Sequence, residues 1–145
     1  MDEEHRHEIL LIDDEDLIRS GLAELLRLDG YDVVEAADGA KALRDLEAGL
    51  RPCLVLLDLN MPGVSGWQFR ALQLRNKELA EIPVVVLSGH GGISQQASTL
   101  MLSDFVAKPV DFDKLIRIVE RTCRRSLVAT LGVAAVARVV RRDVL

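Results

Sequence analysis

The chain has 145 residues, of which 49% are hydrophobic and 28% are charged, and its formal net charge is −5 at pH 7. This length allows one domain with a sizeable core, and the composition excludes disordered and fibrous classes. The acidic balance argues against direct nucleic-acid binding through a broad basic surface.

The N-terminus and the two cysteines bear on the cellular compartment. The first ten residues, MDEEHRHEIL, are polar and acidic, so they lack the basic and then apolar layout of a secretory signal. Cys53 lies in an apolar run and Cys123 in a basic helical pattern, and the pair forms neither a disulfide framework nor a metal-binding spacing. We therefore expect two reduced thiols and a cytoplasmic location.

Five short apolar runs predict β-strands, because each is rich in Val, Ile or Leu and is of strand length. They cover residues 8–12, 32–36, 53–59, 82–88 and 104–108. The segments between them repeat apolar residues at helical spacing, as at Leu17, Ile18, Leu22, Leu25 and Leu26. Gly30 and Gly49 occupy positions where helix ends favour a left-handed backbone. Alternating helices and near-continuous apolar strands predict an α/β fold with a parallel sheet covered on both faces.

Polar residues stand at, or directly after, the C-terminal ends of these runs, and a parallel sheet brings those ends to one edge. They are Asp13, Asp14, Asp58, Ser88 and Lys108. In an open parallel sheet, ligands bind beyond the carboxyl ends of the strands, where the strand order reverses. If the strand order is 2-1-3-4-5, the three carboxylates converge on one pocket, where they repel one another unless a cation such as Mg²⁺ joins them. Lys108 and Ser88 would add a positive charge and a hydroxyl donor, a set that suits an incoming phosphoryl group.

The same residues lie in the motifs LLIDDED, LLDLNMPGVSGW, VVVLSG and DFVAKPVD, which follow one another within about residues 9–125. Through these motifs the chain resembles the receiver domain of bacterial response regulators. The resemblance implies a doubly wound, flavodoxin-like sheet of five parallel strands, with Asp58 as the phosphoacceptor. It also implies a Mg²⁺ site formed by Asp13, Asp14, Asp58 and the backbone carbonyl of Asn60.

The resemblance further implies a switch. Ser88 and Lys108 match the positions that contact the phosphoryl group, and Phe105 matches the aromatic residue whose rotamer reports it. Ser88 stands where Thr is more frequent, Gly89 where Ala is usual, and Phe105 where Tyr is commoner, but none of these departures removes chemistry. The implied function is to accept a phosphoryl group from a histidine kinase or histidine phosphotransfer protein and to change contacts with a downstream protein target.

Simpler interpretations and other functions stay open beside this one. Asp13 and Asp14 could merely cap a helix, and Asp58 could merely form a turn, although suitable groups at four strand ends favour a common site. The protein could be a phosphorelay intermediate or a phosphate sink. A Mg²⁺-dependent phosphohydrolase with an Asp nucleophile is less favoured, because Asn60 holds the position of its second Asp. We expect a switch that assists only its own phosphorylation and dephosphorylation, not an enzyme.

Residues 126–145 lie beyond the resemblance. They are too short for an output domain, so we expect a stand-alone receiver at residues 1–125 followed by an apolar and basic tail. The spacing of the apolar residues predicts a helix, and the uncharged stretch falls short of the ~20 residues that span a bilayer. The tail or the last-helix face could form a homodimer or bind a partner, which we favour over contact with a membrane surface.

Overall fold

The structure is a computed structural model that describes residues 7–59, 66–88 and 104–131. Its strands are β1 (Glu8–Ile12), β2 (Asp32–Ala36), β3 (Leu54–Asp58), β4 (Val84–Ser88) and β5 (Asp104–Ala107). Its helices are α1 (Asp16–Leu28), α2 (Gly39–Glu47), α3 (Gly66–Arg75) and α4 (Phe112–Leu131). All five predicted strands are therefore confirmed, each close to its expected bounds.

The strands form one parallel sheet in the predicted order β2-β1-β3-β4-β5. Ile12, the last residue of β1, pairs with Leu57 of β3, so the two strands end at the same level. Asp13 directly follows β1, and Asp58 is the last residue of β3. The order and the register together bring these two acids to one edge of the sheet.

Helices cover both faces of the sheet, as a doubly wound fold requires. One face packs against α1 and α4 through residues such as Leu26 and Val119. The other packs against α2 and α3 through residues such as Leu46 and Phe69. The central strand β3 is buried at every position, which explains why its sequence stays apolar until Asp58.

Helix α1 buries a narrower stripe than its apolar pattern predicts. The buried residues are Leu22, Ala23 and Leu26. Three other apolar positions are exposed, at 90% for Leu17, 40% for Ile18 and 43% for Leu25. A helix lying on a sheet buries only the side that faces the sheet, so apolar residues on the flanks stay in water. With Leu28, these three form an exposed stripe that we call the α1 apolar surface.

Glycines end α1 and α2, as predicted. The φ angle is 97° at Gly30 and 117° at Gly49, values that a side chain disfavours. The Gly30 nitrogen donates to the Arg27 carbonyl at 3.0 Å, and the Gly49 nitrogen donates to the Leu46 carbonyl at 3.1 Å. Each bond satisfies a carbonyl of the last helical turn and lets the chain leave the helix.

The prediction of two reduced thiols is wrong, because the structure joins Cys53 and Cys123 in a disulfide. Cys53 directly precedes β3, and Cys123 lies on the side of α4 that packs against the sheet. Their Cα atoms are 5.1 Å apart, a separation that a disulfide spans easily. The spacing in sequence does not reveal this pair, because the two cysteines are 70 residues apart and meet only when α4 returns across the sheet.

Helix α4 continues through Leu131 and so crosses the predicted boundary at residue 125 without a break. Residues 132–145 fall outside the described residues, and the domain boundary and the role of the tail stay predictions. Among the helices that the structure describes, none is both long enough and apolar enough to cross a membrane.

Candidate functional site

Four carboxylates meet at the carboxyl ends of β1 and β3. Asp13, Asp14 and Glu15 follow β1, and Asp58 ends β3. Each side chain offers an oxygen, and these atoms all lie within 4.8 Å of one another. Asp13 is fully buried and Asp58 is 5% exposed. We call this set the acid cluster, and it contains the three carboxylates, Asp13, Asp14 and Asp58, that were predicted to converge.

Lys108 reaches the acid cluster from the residue after β5. Its Nζ donates a hydrogen bond to Asp13 Oδ2 at 3.2 Å. The same Nζ lies 3.7 Å from Glu15 Oε1 and 3.7 Å from Asp58 Oδ2. The peptide bond from Lys108 to Pro109 is cis. One ammonium therefore contacts three carboxylates and offsets part of their mutual repulsion.

The acid cluster changes the pKa of Lys108. Burial is the largest single influence, and by itself it lowers the pKa because desolvation disfavours the ammonium. The carboxylates of Asp13 and Asp58 oppose it, with a further contribution from Glu15. Together they outweigh burial, so the pKa of Lys108 is raised.

This raised pKa predicts how stability depends on pH. A lysine with a raised folded pKa stabilises the protein fully below its unfolded pKa of about 10.4, and this contribution is lost as pH rises through the folded pKa. In chelator, Lys108→Met should lower the free energy of unfolding by about 2 kcal/mol near pH 8, as expected for a charge-assisted hydrogen bond. The difference from the parent protein should shrink only above about pH 10.4.

Urea unfolding at a series of pH values measures this difference. Lys77→Met, at an exposed lysine, is the matched control and should change stability by less than about 0.5 kcal/mol. If the Lys108→Met difference already disappears below pH 9, the carboxylates do not hold the proton on Lys108.

The surrounding chain fixes the orientation of Asp13. Its Oδ1 accepts a hydrogen bond from the Glu15 nitrogen at 2.9 Å. Its own nitrogen donates to the Ala36 carbonyl on β2 at 3.1 Å. The N-cap residue of α1 is Glu15, and its side chain makes no capping hydrogen bond within the described part of the chain. Capping of α1 therefore does not explain why acids follow β1.

Glu15 and Arg19 also contribute to the site, although neither was predicted from the sequence to do so. Arg19 donates from Nη1 to the Asp13 carbonyl at 2.8 Å. It also pairs with Asp16 at 2.8 Å and with Glu35 at 3.4 Å. Arg19 thus connects the turn that carries the acids both to α1, through Asp16, and to β2, through Glu35. The only signal in the sequence is its position four residues after Glu15, one helical turn further on.

The remaining predicted residues are described only in part. Ser88 ends β4 and pairs with Ala107 on β5, which puts its backbone at the same edge of the sheet. The Ser88 side chain, Asn60 and Gly89 are not among the parts of the chain that the structure describes. Phe105 on β5 is 45% exposed. The Asn60 carbonyl and the switch pair of Ser88 and Phe105 therefore stay predictions.

The donor set of the acid cluster fits a hard divalent cation. Carboxylate oxygens are the ligands that Mg²⁺ prefers, and Mg²⁺ commonly uses one or two of them together with waters. Asp13 and Asp58 are buried, so their repulsion is screened little by solvent. Lys108 brings one positive charge to four carboxylates, which leaves an excess of negative charge for a cation to neutralise.

Comparison with known proteins gives one consistent family. A family model described as the response regulator receiver domain matches residues 9–120. The chain is 36% identical over 117 residues to the nitrogen assimilation regulatory protein NtrX of Azorhizobium caulinodans, a match covering 79% of this chain and 26% of that protein. It is 38% identical over 119 residues to response regulator RR06 of Streptococcus pneumoniae, covering 81% of this chain and 53% of that protein. The chain thus spans about half or less of the length of these relatives.

Solved structures agree on the fold. The response regulator protein TrrA from Thermotoga maritima, crystallised in complex with Mg²⁺ and BeF, superposes with a TM-score of 0.71. The two sequences are 30% identical, and the match covers 79% of this chain and 97% of that one. That relative therefore binds Mg²⁺ and BeF on the same fold.

Proposed function

Because this chain belongs to the family of response regulator receiver domains, we propose that Asp58 accepts a phosphoryl group from a phosphohistidine on a kinase or phosphotransfer protein. The observation that carries the proposal is the position of Asp58. It is the acid at the end of the buried central strand, within 3.7 Å of the Lys108 ammonium and inside the acid cluster.

The transfer forms one bond and breaks another. A carboxylate oxygen of Asp58 attacks the phosphorus, the bond from phosphorus to the histidine nitrogen breaks, and that nitrogen takes up a proton. An acyl phosphate remains on Asp58. Lys108 is close enough to turn from Asp13 toward a phosphoryl oxygen, where a charge-assisted hydrogen bond is strong. Bound Mg²⁺ supplies positive charge that offsets repulsion between the carboxylates and the phosphoryl oxygens.

We propose that Ser88 and Phe105 convert this chemistry into a change of surface. The phosphoryl oxygens would draw the Ser88 hydroxyl toward Asp58, and the Phe105 ring would turn into the space behind it. The support is that β4 and β5 are neighbours and that Phe105 is partly in solvent, with no phenol hydroxyl to desolvate. Phosphorylation would thus shift the equilibrium between two arrangements of β5 and α4. The protein acts as a switch, not as a turnover enzyme.

The α1 apolar surface supports the proposal that the phosphodonor is a protein that binds beside Asp58. Leu17 and Leu28 are 90% and 79% exposed, and α1 begins directly after Glu15 of the acid cluster. Exposed apolar side chains beside a reactive site are typical of protein-protein contacts. We place this exchange in the cytoplasm, with a downstream protein bound to the α4 side.

Intact-mass measurement after incubation with acetyl phosphate and Mg²⁺ tests the proposal. We expect the mass increment of one phosphoryl group, mapped to Asp58, and no increment in excess chelator. Asp58→Asn should not be labelled. Asp14→Asn is the matched control, because it keeps the acceptor and should still be labelled on Asp58, with a higher Mg²⁺ requirement. A label on Asp13 or Asp14 in the unmutated protein would overturn the assignment.

A further inference from the structure

A second cluster of reactive side chains lies at the opposite end of the sheet from the acid cluster. His7 precedes β1, Cys53 precedes β3, and Cys123 lies on α4. One ring nitrogen of His7 and the two sulfurs all lie within 4.8 Å of one another. The length of β3, about 16 Å at 3.3 Å per residue, separates this cluster from Asp58. Its chemistry is therefore independent of the acceptor site.

Helix α4 has core contacts of its own besides the disulfide. Helix α4 packs against the sheet through Leu115 and Val119, both fully buried. It is also tied to β5 by an ion pair of 2.8 Å between Arg121 and Asp104. Structural disulfides are typical of small secreted domains that cannot build such a core, whereas cytoplasmic disulfides are usually transient. If the chain is cytoplasmic, as proposed above, this bond is one that opens and closes.

The two sulfurs differ in access. Cys53 is partly buried, whereas Cys123 is fully buried. Cys53 is thus the less buried of the two, so a small thiol or disulfide in solution would reach it before Cys123, which is left to act as the resolving thiol. One ring nitrogen of His7 lies within 4.8 Å of both sulfurs, so in the reduced state the ring needs only a short approach to take up a thiol proton. The thiolate is the form that reacts.

We propose that Cys53 and Cys123 form a reversible redox site that ties α4 to β3 when it is oxidised. The co-reactant is a low-molecular-weight disulfide such as oxidised glutathione. To close the bond, the Cys53 thiolate attacks one glutathione sulfur and releases a glutathione thiolate. The Cys123 thiolate then attacks the Cys53 sulfur of this mixed disulfide and releases the second. The protein loses two electrons and two protons, the glutathione disulfide gains them, and opening is the reverse.

The consequence for the structure concerns the last half of α4. In the oxidised state, a covalent bond at Cys123 fixes this part of the helix to the start of β3. In the reduced state this covalent bond is lost, and the contacts that remain in the described part of the chain are side-chain packing and the ion pair at Arg121. Backbone amides of α4 after residue 119 should therefore exchange with deuterium more slowly in the oxidised protein, while those of β1 should not differ.

A redox titration of the full chain tests the proposal. The protein is equilibrated with reduced and oxidised glutathione at many ratios, starting from either state, with a chelator to prevent metal-catalysed oxidation. Free thiols are then alkylated and counted by intact mass. We expect one reversible transition from disulfide to dithiol. A protein that stays oxidised at every ratio has a purely structural disulfide, and one that never forms the bond has none; either result overturns the proposal.

Single variants assign the roles of the three residues. Cys123→Ser should accumulate glutathione on Cys53, and Cys53→Ser should leave Cys123 unmodified. His7→Gln should slow closure several-fold at pH 7, with a smaller effect at pH 9, where the thiols ionise without help. An equal effect at both pH values would remove His7 from the mechanism. Because no phosphodonor is present, these results stand whether or not Asp58 is phosphorylated.

Discussion

Replacing Gly66 by alanine is expected to damage both the fold and the proposed acceptor. A Cβ at Gly66 would overlap the carbonyl oxygen of Asp58 and the Cα of Leu59, and it would lie 3.1 Å from the carbonyl carbon of Asp58. These are backbone atoms, so they cannot rotate away. The free energy of unfolding should fall by about 3 kcal/mol in urea titrations, as for overpacking in a core. Labelling of Asp58 by acetyl phosphate should also slow, because β3 must shift at its end.

Gly21→Ala is the matched control. Gly21 is exposed in the middle of α1, and an added Cβ there meets no described atom within 4 Å. Alanine favours a helix over glycine by about 1 kcal/mol, so this variant should gain stability and keep its labelling rate. If Gly66→Ala is as stable and as readily labelled as the parent protein, the close approach of α3 to β3 is not required.

Gln73→Leu is expected to lower the free energy of unfolding by about 4 kcal/mol. Gln73 is fully buried, and its Nε2 donates to the carbonyls of Leu79 at 2.9 Å and Ile82 at 3.0 Å. Its Oε1 accepts from Arg70 Nη1 at 2.9 Å. Leucine fills a similar volume but leaves two buried carbonyls and a guanidinium each short of one hydrogen bond. Each such loss costs about 1–3 kcal/mol, and more where the group is charged.

The same contacts explain why one substitution, at Gln73, should lower the free energy of unfolding so much. Burial lowers the pKa of Arg70, because desolvation disfavours its charge. Each hydrogen-bond acceptor near the guanidinium, such as Gln73 Oε1, therefore helps to stabilise the charged form. Gln73 also fixes the segment that leads from α3 into β4. Arg75→Leu, at an exposed residue of the same helix, is the control and should cost less than about 0.5 kcal/mol in the same urea titration. Equal losses in the two variants would mean that the buried hydrogen bonds are not the cause.

The strands and the acids at their ends could be predicted because each depends on a local pattern, whereas the strand order followed from the resemblance to receiver domains. Asp58 closes an apolar run before a turn, and Asp13 and Asp14 close another, so the topology of a parallel sheet is enough to bring them together. Lys108 follows the fifth run in the same way. Such residues are positioned by the backbone alone, and the backbone follows from periodicity.

What could not be predicted depends on side chains that meet across the fold. Arg19 acts through a hydrogen bond to the Asp13 carbonyl, which no pattern in the sequence encodes. Cys53 and Cys123 meet only after α4 has packed on the sheet. Periodicity shows which residues of α1 lie on the same side of the helix. It does not show how much of that side contacts the sheet, so it does not predict that Leu17 is exposed.

The acid cluster and its lysine come from opposite halves of the chain. The carboxylates precede residue 59 and are held by β2, β1 and β3, whereas Lys108 follows β5. During synthesis the ribosome therefore releases the acids before the lysine, at about 5–20 residues per second. A half-made chain that buried Asp13 would do so without Lys108 as its counter-ion. Stable burial of Asp13 is thus deferred until Lys108 emerges, unless a cation from the surrounding solution substitutes for the lysine in the nascent chain.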